Sequence, residues 1–216
     1  MSGIRYTLLG DGSSDRLLNH PIRWALRTMG VSVEIGQWAD LSRVRPRPRD
    51  LHARVRVAID LYPAQLLLVH RDAEGRTREE RVQEVRDAAR QVADLHVAVV
   101  PVRMTEAWFL HDEAAIRHAS GNSNGTIGLS LPRPARVGDE HDPKETLRAA
   151  LIEASELSGA RRRKKAKDFP AMRTRVAELI EDFESMRAAP AFAAFLDDLA
   201  MALRALGYLE STPTSP

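Results

Sequence analysis

Acidic residues stand just beyond three apolar runs of this chain. Asp11 follows Ile4 to Leu9, Asp72 and Glu74 follow Leu66 to Val69, and Glu106 follows the run that starts at His96, with Asp15 four residues beyond Asp11. Any one of these has a local explanation, because Asp and Glu are common in turns and at helix starts. Coincidence at three strand ends is a stronger signal. Carboxylates gathered in one cleft repel each other unless cations offset them, and a divalent ion there polarises a phosphoryl group and activates water. The chemistry this suits is phosphodiester hydrolysis. There is no cysteine, so a metal would rest on carboxylates, imidazoles, carbonyls and water, which favours Mg²⁺ or Mn²⁺. Asp72 and Glu74 share a face if their i, i+2 spacing lies on a strand, and a turn would separate them. His70 and His141 are the histidines nearest the acids, as base, ligand or ordinary loop residues. Trp24, Trp38 and Trp108 could stack on bases or anchor core edges.

The elements that must position these residues alternate. Ile4 to Leu9 reads as a strand, Gly10-Asp11-Gly12 as a tight turn, and Ser13-Ser14-Asp15 as the start of a helix that restarts at Pro21 and ends near Gly30. Val31 to Ile35 is a second strand, and the Pro- and Arg-rich stretch from Arg43 to Pro48 is a loop before a helix over Leu51 to Leu61. Leu66 to Val69 is apolar without alternation, as expected of a central strand covered on both faces. A charged helix over about Thr77 to Leu95 and a strand over His96 to Val102 follow. This order predicts an α/β, Rossmann-like, mostly parallel sheet of about four strands with helices on both faces and a ligand crevice at the carboxyl ends of the strands.

Beyond a short helix at Glu106 to Leu110, Gly121-Asn122-Ser123-Asn124-Gly125 reads as a flexible polar loop, the segment most prone to disorder. Asp142-Pro143 starts a helix through about Leu157, and Pro170 and Pro190 start two more, ending near Met186 and Leu206. The domain reading is an α/β domain over 1–135 and a C-terminal helical segment over 136–216, with Thr212 to Pro216 frayed.

Gly-Asp-Gly-Ser-Ser-Asp at 10–15, Asp-Ala-Glu-Gly at 72–75 and Thr-Glu-Ala-Trp at 105–108 resemble the Toprim motifs, over about residues 4–112. Met104 to Leu110 and Asp142-Pro143-Lys144-Glu145 are also similar to a bacterial group of small Toprim-like proteins related to the nuclease half of overcoming-lysogenization-defect proteins. The first acid is Asp11 where that family usually has glutamate, and the paired motif ends in Glu74 where aspartate is usual. The resemblance implies a Toprim-like fold and a Mg²⁺- or Mn²⁺-dependent nuclease, the effector of a phage-defence system with an ATPase partner. It implies that Asp11 and Asp15 hold a metal or position the attacking water, that Asp72 and Glu74 hold a metal between them, and that Glu106 completes the shell. Lys144 would neutralise charge developing on the phosphate. Asp11, Glu106 and Lys144 are thus the expected catalytic residues and DNA the expected partner, with homodimerisation compatible with twofold-symmetric duplex substrates.

Composition sets the remaining bounds. In 216 residues, 44% hydrophobic and 29% charged, there is room for one full core with an appendage. With 32 Lys and Arg against 30 Asp and Glu, the net charge of +2 says little of nucleic acid. The distribution says more, since Arg43 to Arg56 and Arg161 to Lys167 are two basic stretches that could face phosphates or simply be solvated. Neither a P-loop nor a dinucleotide fingerprint occurs, and no nucleophile elbow, so an intrinsic ATPase and an acyl hydrolase have no support. The chain enters its first strand without an apolar signal core, and the expectation is a cytoplasmic protein. Two other functions fit the same residues: a nucleic-acid-binding or regulatory module without catalysis, and a metal phosphohydrolase of small phosphate esters. Salt dependence separates the last from a nucleic-acid enzyme.

Overall fold

The computed structural model describes residues 3–210. Four parallel strands, β1 (Ile4–Leu9), β2 (Val33–Trp38), β3 (Leu66–His70) and β4 (His96–Val99), form one sheet in the order β2-β1-β3-β4. Tyr6 to Leu9 pair with Leu66 to Val69, and Leu67 to His70 pair with His96 to Val99, so β1 and β3 end side by side at the sheet's centre. All five residues of β3 are buried, which is why its sequence shows no alternation. Its two faces are nonetheless distinct. Leu67 and Val69, with Leu9 and Ala98, pack on Val55 and Ala58 of α2 (Leu51–Leu61) and on Val85, Ala88 and Ala89 of α3 (Arg78–Ala89). Tyr6, Leu8, Leu66 and Leu68 point the other way, and the Tyr6 hydroxyl donates to Asn19 Oδ1 at 2.8 Å, at the start of α1 (Asn19–Thr28). The fold is therefore the expected α/β sheet flanked by helices.

Strand β2 is displaced from the expected Val31 to Ile35 to Val33–Trp38, the helix that starts at Pro143 ends at Ala154 ahead of Leu157, and two further boundaries fall short for reasons in the chain. Helix α3 stops at Ala89 and not near Leu95, because residues 90–95 must reverse direction before β4; the amides of Val92 and Ala93 both return to the Ala89 carbonyl. Strand β4 ends at Val99, ahead of Pro101, which has no amide to donate.

The chain divides into two compact units, residues 3–100 with 194–210, and residues 101–193. Position 135, the expected boundary between the α/β domain and the helical segment, lies inside the second unit. That unit carries α4 (Glu113–Ser120), α5 (Pro143–Ala154), α6 (Gly159–Lys167) and α7 (Phe169–Leu179), with α4 packed on α5 and α7. Its core includes Trp108, edge-on to Phe192 at 4.9 Å between ring centroids. The helix expected from Pro170 to Met186 is two pieces, α7 and a 3₁₀ turn over Glu184–Ala188. Helix α8 (Pro190–Ala205) starts in the second unit, and its larger part, from residue 194, belongs with the sheet. The polar stretch at 121–125 is a held loop. Glu156 accepts the amides of Thr126 at 2.6 Å and Ile127 at 3.1 Å, and the Asn122 side-chain amide donates to the Ala154 carbonyl. Thr212 to Pro216, expected to fray, lie outside the described residues. No helix among the described residues is long and apolar enough to cross a membrane.

Candidate functional site

Directly after β1, the chain turns over Gly10-Asp11-Gly12 into a 3₁₀ turn at Ser13–Leu18. Asp15, in that turn, is buried and closes it: its Oδ2 accepts the amides of Asp11 at 2.8 Å and Gly12 at 2.9 Å. Gly10 is required by close approach, since a Cβ there would lie 2.7 Å from Asp15 Cβ and 2.7 Å from the Trp38 ring.

Next to this turn, β3 ends in His70, whose side chain is fully buried. Its Nδ1 lies 2.9 Å from the Val99 carbonyl and so carries a proton, because a carbonyl only accepts. Its Nε2 faces two carboxylates, Asp72 Oδ1 at 3.2 Å and Asp15 Oδ2 at 3.8 Å. Burial alone would push this imidazole down, yet Asp72, Asp15 and the Val99 carbonyl together hold it above the ordinary histidine value. Asp72 Oδ1 is itself buried, and the His70 imidazole is its close partner.

Asp11 lies among cations. Arg71 Nη1 donates to both its oxygens, at 2.6 and 2.7 Å, and Arg54 Nη1 donates to Oδ1 at 2.5 Å, while Arg54 Nη2 also reaches the Gly10 carbonyl. Burial raises the Asp11 carboxyl and the two guanidinium groups more than reverse it, leaving it below the usual carboxylate range. The chain of opposite charges continues from Arg71 to Glu84 at 3.2 Å and from Glu84 to Arg81 at 2.6 Å. Arg81 is buried and donates onward to Glu74 at 2.8 Å and to the Ala73 carbonyl at 3.3 Å.

Asp72 and Glu74 therefore do not act as a pair. Strand β3 has ended at His70, and Glu74 is in the left-handed region (φ 48°) just ahead of Gly75 (φ 82°). That turn sends Asp72 to His70 and Glu74 to Arg81. In the second unit, Glu106 is buried on a 3₁₀ turn (Thr105–Phe109) and accepts from Arg173 Nη1 at 2.7 Å. Lys144 is exposed in the first turn of α5 and forms no ion pair among the described residues. His141 is exposed as well.

Spacing alone missed Arg71, Arg81, Glu84 and the inward orientation of His70. Arg71 was the most legible of these, being the residue that follows the last one of β3. Beside Asp11, at the carboxyl ends of β1 and β2, opens a cleft of about 570 Å³ whose lining includes Arg16, Arg47, Arg49, Arg54, Ser42 and Trp38. Its arginines are suited to a ligand with phosphate oxygens.

The donors fit a hard cation in part. Among the described residues no group of three or more His, Asp or Glu stands ready to hold a metal. Asp72, with a buried oxygen beside His70, and neighbouring Asp15 have the right chemistry. Glu74 and Glu106 do not fit, their charge being taken up by Arg81 and Arg173. No curated protein and no solved structure matches the chain. A family does match over residues 15–200, and on that span the chain belongs to the family described as a domain of unknown function (DUF4276).

Proposed function

We propose that this chain is a Mg²⁺- or Mn²⁺-dependent nuclease that hydrolyses nucleic-acid phosphodiesters at the carboxyl ends of β1 and β3. The observation that carries the reading is the group of Asp15, His70 and Asp72, in which two carboxylates converge on one buried imidazole at the end of a central strand. Converging carboxylates repel one another, and a bound divalent cation offsets that cost more fully than a single imidazolium does. Asp72 and Asp15 would hold the ion, which supplies polarisation of a phosphoryl oxygen and a more acidic water. The chain's own residues do the rest. Arg54 and Arg71 keep Asp11 ionised, and Arg16, Arg47 and Arg49 line the cleft where phosphate oxygens would lie. His70 orients Asp72. An ATPase partner and a role in phage defence rest on the Toprim resemblance and belong to the same proposal, as does a homodimer.

The test is cleavage of supercoiled plasmid, linear duplex and single strands with Mg²⁺ or Mn²⁺, comparing wild type with Asp72→Asn at matched purity. Metal-dependent nicking that this isosteric change abolishes, with the circular dichroism spectrum intact, supports the reading. A second reading is favoured by the arginine partners of Asp11, Glu74 and Glu106, which already neutralise those charges. In it the chain binds nucleic acid without cutting. Absence of cleavage even with an ATPase partner added, together with retained nucleic-acid binding, selects it.

A further inference from the structure

We infer that helix α6 in the second unit is a docking surface for the phosphate backbone of duplex nucleic acid. Its sequence, Gly-Ala-Arg-Arg-Arg-Lys-Lys-Ala-Lys, places six cations on nine residues, and none of the nine is buried. No Asp or Glu occurs between Glu156 and Asp168. None of Arg161, Arg162, Arg163, Lys164, Lys165 and Lys167 forms an ion pair among the described residues. Elsewhere this chain pairs its arginines freely, including Arg54, Arg71, Arg78, Arg81, Arg117 and Arg173.

Nothing local accounts for such a helix. Like charges three and four residues apart, as in Arg161 with Lys164 and Lys165, repel along its surface. Arg161 and Arg162 lie near its amino-terminal end, where the helix dipole favours acids, and that first turn has none. With no buried side chain, the helix gains little from apolar packing and relies on its short connections to α5 and α7. A polyanion laid along α6 offsets the repulsion and the dipole cost together.

The composition of α6 also selects among polyanions. Apart from the cations it has only Gly159, Ala160 and Ala166, so it lacks the apolar face by which a basic helix enters a lipid interface. It has no aromatic ring to stack on unpaired bases, the usual device of single-strand sites. What remains is charge on a rigid rod about 13 Å long, matched to the closely spaced phosphates of a duplex.

This surface does not depend on the proposed chemistry, and the experiment is run in EDTA so that no cleavage enters. Binding of a fluorescent 30-base-pair DNA duplex is followed by anisotropy across a salt series. The variants are Arg161→Gln/Arg162→Gln/Arg163→Gln and, separately, Lys164→Gln/Lys165→Gln/Lys167→Gln. Each phosphate contact removed should flatten the slope of log K against log salt by about 0.9, so each triple variant should lose roughly two to three units of slope. Affinity at 0.1 M salt should fall at least about tenfold in both. Arg161→Lys/Arg162→Lys/Arg163→Lys keeps the charge and should keep the slope. Circular dichroism checks the helix content of each. Slopes unchanged in both Gln variants overturn the inference. So does a wild type that binds phosphatidylserine vesicles through these residues while its DNA slope is indifferent to them.

Discussion

His70 and His111 are both largely screened from water, and their surroundings push them in opposite directions. His70 is held above the ordinary histidine value, because two carboxylates and a carbonyl outweigh its burial. His111 falls below it: burial dominates, the charges of Asp112 and Asp182 compensate only in part, and its neighbours include the Phe183 ring at 5.2 Å and the Ser185 hydroxyl at 3.1 Å. Burial fixes the cost of a charge, and the partners decide whether the charge is kept. The same contrast separates the acids of the two units. Glu106 has one arginine in an enclosed setting, with a side chain only 6% exposed. Asp11 has two arginines at a rim, with 32% of its side chain exposed.

The comparison can be broken first at Glu106. Glu106→Ala leaves the Arg173 guanidinium without its carboxylate in a largely buried place and should cost about 3–5 kcal/mol, read as a drop in the urea midpoint. Glu106→Ala with Arg173→Met should recover most of it. If the single variant costs under about 1 kcal/mol, the pair is no more than a surface salt bridge. Gly10→Ala comes next, at about 1–3 kcal/mol, because the added methyl meets Asp15 and the Trp38 ring. Asp11→Asn should cost only about 1 kcal/mol, since the rim is solvated and screened by salt. The smallest effect concerns pH. A histidine lowered from the ordinary 6.5 supports the fold fully above that value, and the support is lost as pH falls through its lowered value. His111→Phe should therefore flatten the acid side of the stability profile by no more than about 1.4 kcal/mol per pH unit, the limit for a single proton. An unchanged acid limb would show that His111 is not screened as described.

Much of the sheet was legible because its signals are local and redundant. β1 and α2 have the bounds that the apolar runs suggested, Ile4–Leu9 and Leu51–Leu61. Helix α6 was not legible, since a helix polar on every side has no apolar period to read. Helix α4 was missed too, although Asp112 at its amino end and Gly121 beyond its last residue are ordinary start and stop signals. At the site, the strand-end placement of Asp11, Asp15 and Asp72 could be read from order alone. The separation of Asp72 from Glu74 could not, because it depends on one left-handed residue and on a buried arginine seven positions further on. Sequence spacing reports that acids are near a strand end and is silent on which cation each will meet.

Among the described residues strand β4 has a neighbour on one side only, and side chains of α3 and of α8, from Asp198 to Ala205, line the cleft beside it. Arg78 of α3 ties this segment down through Asp198. During synthesis the sheet residues leave the ribosome first and wait for the whole of 101–193 before α8 arrives. Until then an apolar strand edge is open to pairing with other nascent chains, a hazard that folded proteins limit by covering such edges. Release of a shortened chain ending before residue 194 would remove the Arg78–Asp198 tie and the α8 side chains beside β4, so premature termination is expected to yield aggregates and not a smaller working protein.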